Sequence, residues 1–421
     1  MNFKKKKSNC LPNLYWIVFL FLWIVSTPIN AQDATIADTV YSIDSLLSDW
    51  DVKAYTTFRS NCDNVPNENP VYSDSMYINR MSLMPTIMEM PYNEIVRRYI
   101  DVYTGRMRNQ ISFMLGISNF YVPIFEDALD ACNLPIELKY LPVIESALNP
   151  SAVSRRGASG LWQFMIKTGK RYGLESNSLV DERRDPIKST WAAVRYLKDL
   201  YNIYHDWNLV IAAYNCGPGN VNKAIRRSGG QTDYWSIYPY LPRETRGYVP
   251  AFIAVNYVMH YYNDHNICPV EVTIPTDNDT LHINQQLHFE QIMDICDISL
   301  EQIRILNPQY KKDIIPGGKT YTLRLPYEKV SVFIDKQDSI YTHRVNELFS
   351  NRAVVIASTT RATKGGNSAN SVNGVIYHKI KTGESLSVIA RKYQVSVSDL
   401  KKWNNLSSSN INAGKQLKIL N

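Results

Sequence analysis

The chain is poor in cysteine, and the six it has are scattered over 421 residues with no CxxC pair. That spacing gives no zinc site. The seven histidines show no HExxH or comparable spacing, so no metal site is expected. An excess of one charge is also lacking. Lys and Arg number 46 against 39 Asp and Glu, a net +7. Four of those positive charges are Lys4, Lys5, Lys6 and Lys7, which leaves +3 for the rest. Such a balance gives no case for nucleic acid. The apolar run at residues 14–25 is twelve long, short of the roughly 20 residues that span a membrane.

The basic start, the apolar run and Ile29-Asn30-Ala31 together read as an export signal over residues 1–31, cleaved after Ala31. Cys10 precedes the run and does not fit a lipid-acceptor cysteine. Beyond residue 31 stand Cys62, Cys132, Cys216, Cys268 and Cys296. An odd number leaves at least one thiol unpaired. The irregular spacing predicts no disulfide framework. Cys216 reads as a small packed side chain rather than a nucleophile. Tyrosine is abundant, at 28 residues with 8 Trp, and core packing is the simpler reading.

Residues 32–90 read as an irregular lead-in. From 91 to 268 the pattern is helical. Ile95, Ile100, Tyr103, Met107, Ile111 and Met114 recur at helical intervals. Asn149-Pro150 is expected to end the helix that carries Glu145. A helix is expected over 162–172, and another from Asp185-Pro186 to about His205, with a capping acid followed by proline. Residues 207–215 continue helical, and 249–262 form the last long helix. After Cys268, strands at 269–274, 280–283 and 321–325 flank short helices at 289–296 and 299–306. Residues 329–354 read either as two strands or as an extension of that module. Residues 357–374 contain no acid and no aromatic. They read as a tether spanning roughly 25 Å as a flexible coil.

Three short motifs carry chemistry. Glu145 ends the apolar stretch Leu141-Pro142-Val143-Ile144. Apolar surroundings keep a carboxyl protonated, and a protonated carboxyl near neutral pH is a general acid suited to glycosidic cleavage. Gln163 of Gly160-Leu161-Trp162-Gln163, and Tyr214 and Asn215 of Ala213-Tyr214-Asn215, are able to hold sugars by hydrogen bonds. Asp181, Glu182 and Asp185 fall in a polar loop, where surface or capping roles suffice.

In order, Glu145-Ser146, residues 152–163, residues 213–219 and Glu244-Thr245-Arg246-Gly247-Tyr248-Val249-Pro250 resemble the motifs of lytic murein transglycosylases, in particular the membrane-bound D type. The resemblance covers residues 134–262. It implies a multidomain protein whose all-α, lysozyme-like catalytic domain is followed by small α+β (βααβ) LysM modules. It implies Glu145 as the single catalytic acid and base. Ser154, Gln163, Tyr214, Asn215 and Tyr248 would bind substrate, and Gly160 would let the backbone approach the glycan. The implied partner is the peptidoglycan glycan strand, cut without water to give 1,6-anhydro ends. No cofactor and no metal are implied. A hydrolytic muramidase of the same fold and a non-catalytic wall-binding protein remain the alternatives. The implied location is the periplasm or cell envelope, with membrane association and oligomeric state left open.

Residues 376–420 resemble a LysM motif. Gly383-Glu384-Ser385-Leu386 and Ile411-Asn412 are its expected glycan-binding segments, and Trp403-Asn404 ends its second helix. Residues 280–326 resemble a degenerate copy.

Overall fold

The computed structural model describes residues 68–349, 375–380, 384–393, 395–406 and 414–420, with 45–47, 56–57, 66, 408 and 411. The expected signal at 1–31 and tether at 357–374 lie outside these residues, as do Gly383 and Asn412. The chain divides into two units, 1–356 and 357–421.

Among the described residues from Asp74 to His260 the first unit has ten α-helices: α1 Asp74–Leu83, α2 Glu94–Thr104, α3 Arg108–Ala131, α4 Leu141–Ser146, α5 Ile166–Arg171, α6 Pro186–Tyr204, α7 Trp207–Cys216, α8 Pro218–Arg227, α9 Tyr234–Ile237 and α10 Arg243–His260. The capping signals explain several starts. Asp185 accepts from the Ile187 and Lys188 N–H groups at the head of α6, and Asp206 accepts from Leu209 N–H at the head of α7. The core wraps α10, which packs on α2, α4 and α7. Tyr77, Tyr99, Tyr103, Tyr121, Tyr234 and Tyr257 are fully buried there, so much of the tyrosine excess is core.

Four expectations for residues 91–268 need correction. First, α10 starts at Arg243, six residues before the expected helix. It tolerates Pro250, which has no N–H for the Arg246 carbonyl four residues back. The Tyr234 hydroxyl donates to that carbonyl instead, at 2.9 Å. Second, α4 ends at Ser146, before Asn149-Pro150. Ala147 and Leu148 turn left-handed at φ 51° and 61° and close the helix. Third, α5 starts only at Ile166, because Trp162 is drawn into the core, where its indole N–H donates to Thr190 Oγ1 at 2.9 Å. Fourth, Cys268 is disulfide-bonded. Cys132, Cys216 and Cys296 are free, and burial pushes the Cys216 thiol up, away from the thiolate form a nucleophile needs.

Past α10, strand β1 Thr56–Thr57 pairs antiparallel with β2 Glu271–Val272. The expected strand at 269–274 is therefore reduced to two residues. A βααβ module follows. Strand β3 Asn278–Ile283 pairs antiparallel with β6 Tyr321–Pro326, and β4 Leu287–His288 with β5 Ile314–Ile315. Helices α11 Phe289–Cys296 and α12 Leu300–Leu306 lie between β4 and β5 in the chain. Residues 327–349 are helical rather than strands: α13 Tyr327–Asp335, α14 Gln337–Thr342 and α15 Val345–Phe349. Phe333 and Ile340 bury into the module's core, so this segment extends the module.

The second unit repeats the plan: β7 Val375–Lys379 pairs antiparallel with β8 Gln416–Leu420, with α16 Leu386–Tyr393 and α17 Val397–Trp403 between them in the chain. One device marks the two modules as the same fold. Asn404 donates to the Leu400 and Lys418 carbonyls at 2.8 and 2.6 Å and accepts from Lys418 N–H. Asn307 does the same with the Ile303 and Arg324 carbonyls at 2.9 and 2.7 Å, and with Arg324 N–H at 2.8 Å. In each case one amide ties the end of the second helix to the last strand.

Candidate active site

Glu145 stands in the last turn of α4, just before the left-handed Ala147 and Leu148. A bulky residue held at positive φ is unusual, and such strain tends to collect at functional sites. The Ser146 hydroxyl donates to the Leu161 carbonyl at 2.9 Å, which fastens α4 to the segment containing Trp162 and Gln163. Glu145 keeps some accessible surface. Its carboxyl is nonetheless crowded by protein, and burial pushes its pKa up to about 7. The Tyr248 hydroxyl donates to Glu145 Oε1 and pulls the other way, since this bond favours the carboxylate. The charge of Glu244 adds to the upward shift. Burial wins, so Glu145 holds its proton to a higher pH than an ordinary carboxyl.

Tyr214, on α7, donates to the Trp162 carbonyl at 2.8 Å. Burial, and then the charge of Glu145, hold its hydroxyl far above the ordinary range. Tyr248 is shifted the same way for the same causes. Both tyrosines therefore stay neutral donors. Asn215 accepts from Thr245 Oγ1 at 2.8 Å, which ties α7 to α10. The structure thus gathers Glu145, Tyr214 and Tyr248 into one electrostatic setting, with Asn215 anchored beside them in the chain.

Ser154 and Gln163 sit on a hairpin. Ser159 and Phe164 exchange both backbone hydrogen bonds at 3.1 Å, and Gly160 N–H donates to Ala152 O at 3.0 Å. Ser154 Oγ accepts from Ala158 N–H at 3.0 Å. Gln163, at φ 46°, spends its amide NH2 on the Gly160 carbonyl at 2.9 Å. Both side chains therefore shape the hairpin. Gly160 carries an internal constraint that the sequence does not show. At φ +86° it lies so close to the next loop that a Cβ would stand 1.8 Å from the Arg183 carbonyl. Its small size is required by this internal contact.

The loop acids are not surface residues either. Asp181, Glu182 and Asp185 are all buried. Asp181 pairs with Arg183, Glu182 with Lys188, and Asp185 with Arg324, which is 139 residues away in the chain. Glu244 and Thr245 were passed over as site residues. Their signal lay in the spacing: Glu244 precedes Tyr248 by four residues, one helical turn, once α10 is seen to begin at Arg243. Among the described residues no group of acids, histidines and cysteines is arranged to hold a metal ion.

In the second unit, Glu384 meets His378 Nε2 at 2.7 Å, Ser385 Oγ accepts from Val388 N–H at 3.4 Å, and Leu386 is buried. Their side chains make contacts within the module's own fold. Ile411 packs against the same core.

A family model described as the transglycosylase SLT domain matches residues 123–237. This region is an SLT domain. It is helical and lysozyme-like, and the match spans Glu145, Gln163 and Asn215, while Tyr248 lies just beyond it. Residues 277–342 match the LysM-like domain of lytic transglycosylase MltD, and 378–420 match the LysM domain. Membrane-bound lytic murein transglycosylase D of Escherichia coli K12 is 30% identical over 296 residues, covering 68% of this chain and 60% of that protein. The chain thus spans about 60% of the length of that curated relative. Soluble lytic murein transglycosylase of the same strain is 33% identical over 124 residues, 28% of this chain and 19% of the other. Among solved structures, the 70 kDa soluble lytic transglycosylase SLT70 of E. coli matches with 29% identity over 35% of this chain and 25% of its own, at a TM-score of 0.30.

Proposed function

We propose that the chain is a peptidoglycan lytic transglycosylase that cuts between N-acetylmuramic acid and N-acetylglucosamine. The observation that carries the reading is Glu145, a carboxyl raised to about 7 and held by Tyr248 within an SLT domain. Protonated Glu145 gives its proton to the glycosidic oxygen as the bond to the muramic anomeric carbon breaks. The substrate's acetamido group steadies the positive charge at that carbon. Glu145, now a carboxylate, takes the proton of the C6 hydroxyl as that oxygen closes on the anomeric carbon. The product is a 1,6-anhydro end, no water is consumed, and Glu145 is restored. A pKa near 7 suits a group that must serve as both acid and base.

In this reading Tyr248 orients Glu145, and Tyr214, Asn215, Gln163 and Ser154 position the sugars. Residues 91–268 form the catalytic domain. Residues 376–420 bind glycan through backbone groups around 383–386 and 411–412. Residues 1–31 direct the chain to the cell envelope. Among the described residues no helix is long and apolar enough to cross a membrane.

Hydrolysis is the second reading, and Glu244 is the observation that favours it, because it is an acid whose charge reaches Glu145. Against it, Glu244 is 72% exposed and faces Arg156 at 3.8 Å, which is a poor place to activate a water against a buried sugar. Mass spectrometry of muropeptides released by the purified protein decides. Anhydro ends, lighter by one water, are expected; mainly reducing ends would establish the muramidase.

A further inference from the structure

The loop at residues 176–185 belongs to the helical domain in sequence but is built into the LysM-like module in space. Val180 bridges Tyr310 in antiparallel fashion. Asp181 N–H donates to Gln309 O, and Lys311 N–H to Leu179 O, each at 2.8 Å. Leu179 and Val180 are buried in the module's own core with Phe289, Ile303 and Leu323. Lys319 of the module pairs with Glu175, just before the loop. At the loop's far end Arg324, on β6, reaches both oxygens of Asp185 at 3.1 and 3.2 Å. Both side chains are buried, and two further nitrogens of Arg324 have no partner among the described residues. Asp185 is therefore the counter-ion on which this guanidinium depends. A buried charge deprived of its partner is costly, so the contact resists opening.

The same loop grips the active-site hairpin. Arg183 is paired to Asp181 in a buried bidentate contact, at 2.8 and 2.7 Å. Its Nη1 donates to the Gly157 carbonyl at 2.7 Å and to the Phe164 carbonyl at 2.8 Å. Those carbonyls flank the turn that presents Gly160, Leu161, Trp162 and Gln163. Gly160 closes the contact from the other side, against the Arg183 carbonyl. The loop thus joins the module to the hairpin along its own backbone: Arg324 fixes Asp185 at its end, Gln309 O holds the Asp181 N–H, and Asp181 orients Arg183, which grips the hairpin.

We infer that the LysM-like module at 277–349 braces the hairpin at 152–164, with Arg324 and Arg183 as positioning residues. The module is then part of the catalytic machinery's support. Its consequence for catalysis rests on the transglycosylase reading above; its mechanical content does not. A fixed hairpin holds Gln163 and Ser154 in place before substrate arrives, which lowers the ordering cost of binding.

The test uses the full chain with Arg324→Met, Arg324→Lys as the conservative variant, and Arg183→Lys, which keeps the charge but cannot hold Asp181 with two nitrogens while a third reaches both hairpin carbonyls. Hydrogen exchange is followed at hairpin 152–164, in α3 and α10, and in the β3–β6 ladder. In Arg324→Met the hairpin amides should exchange about tenfold faster, one hydrogen bond's worth of protection, while α3 and α10 are unchanged. Arg324→Lys should restore part of the protection. Arg183→Lys should loosen the hairpin without loosening the ladder. On soluble glycan fragments KM should rise severalfold, with kcat less affected. Unchanged hairpin exchange, or equal acceleration throughout the domain, would overturn the brace. If even the unaltered protein cleaves no glycan, the functional reading fails while the exchange data still judge the brace.

Discussion

Replacing Glu145 by Gln separates function from stability with a sign that can be worked out beforehand. Burial raises the carboxyl from its ordinary 4.5 to about 7. Below about pH 4.5 both the folded and the unfolded chain hold this proton, and the group costs nothing. Between about pH 4.5 and 7 the folded state keeps the proton while the unfolded state has lost it, so stability falls as pH rises. Above about pH 7 the full penalty of a buried carboxylate applies. At about 1.4 kcal/mol per pH unit it amounts to roughly 3 kcal/mol, and nearer 2 after allowing for the group's partial contact with water. Glutamine keeps the shape and carries no such penalty. Thermal melts of Glu145→Gln and the parent should therefore nearly coincide at about pH 4, while at about pH 8.5 the variant should melt several degrees higher. The other titrating groups are common to both proteins and largely cancel. Turnover at neutral pH should drop by about two to four orders of magnitude, the usual worth of a general acid. An equal melting difference at both pH values, or a less stable variant at the higher one, would show that the fold does not hold Glu145 neutral. Retention of more than a few percent of the parent's rate would sink the single-acid mechanism.

Three further outcomes are expected. Tyr248→Phe removes the donor that favours the carboxylate, so the alkaline limb of kcat/KM should move up by about one pH unit while the maximum falls; a limb that stays put or moves down contradicts the assigned role. Gly160→Ala drives a methyl to 1.8 Å from the Arg183 carbonyl at φ +86°, and should cost at least a few kcal/mol; an unchanged melting temperature would refute the close approach. Removing residues 357–421, a separate compact unit, should weaken binding to whole sacculi but spare cleavage of short soluble glycans at saturation, as expected for a linked binding module. Equal loss on both substrates would make the tail part of the catalytic fold.

What could be read from the chain beforehand was whatever depends on neighbours in sequence. Asp185-Pro186 announced α6 because a cap and a first-turn proline act within three residues. The short helices Phe289–Cys296 and Leu300–Leu306 emerged from local periodicity. Residues 327–349 are ambiguous in sequence because Val330, Val332 and Ile334 alternate like a strand. Ile334 is in fact 56% exposed, and burial of Phe333 against α11 decides for a helix. The start of α10 was hidden by Gly247 and Pro250, two residues that weaken isolated helices. Tyr234 compensates for the proline only in the folded state.

The same division runs through the candidate site. Glu145, Tyr214 and Asn215 were legible as residue types in ordered motifs. Their electrostatics were not, because the groups that set them meet only on folding: Tyr248 lies 103 residues from Glu145. The loop acids show the contrast most plainly. In sequence Asp181, Glu182, Arg183, Arg184 and Asp185 form a run that any solvated surface would accept. In the fold, Arg183 neutralises Asp181 inside the protein, and Arg324 arrives on a strand of another module to neutralise Asp185. A charged run of this kind is ambiguous until its partners are known, because exposed pairs contribute little while a buried charge demands a partner. The polar loop therefore reaches the hairpin carbonyls through Arg183, although its composition alone gave no sign of it.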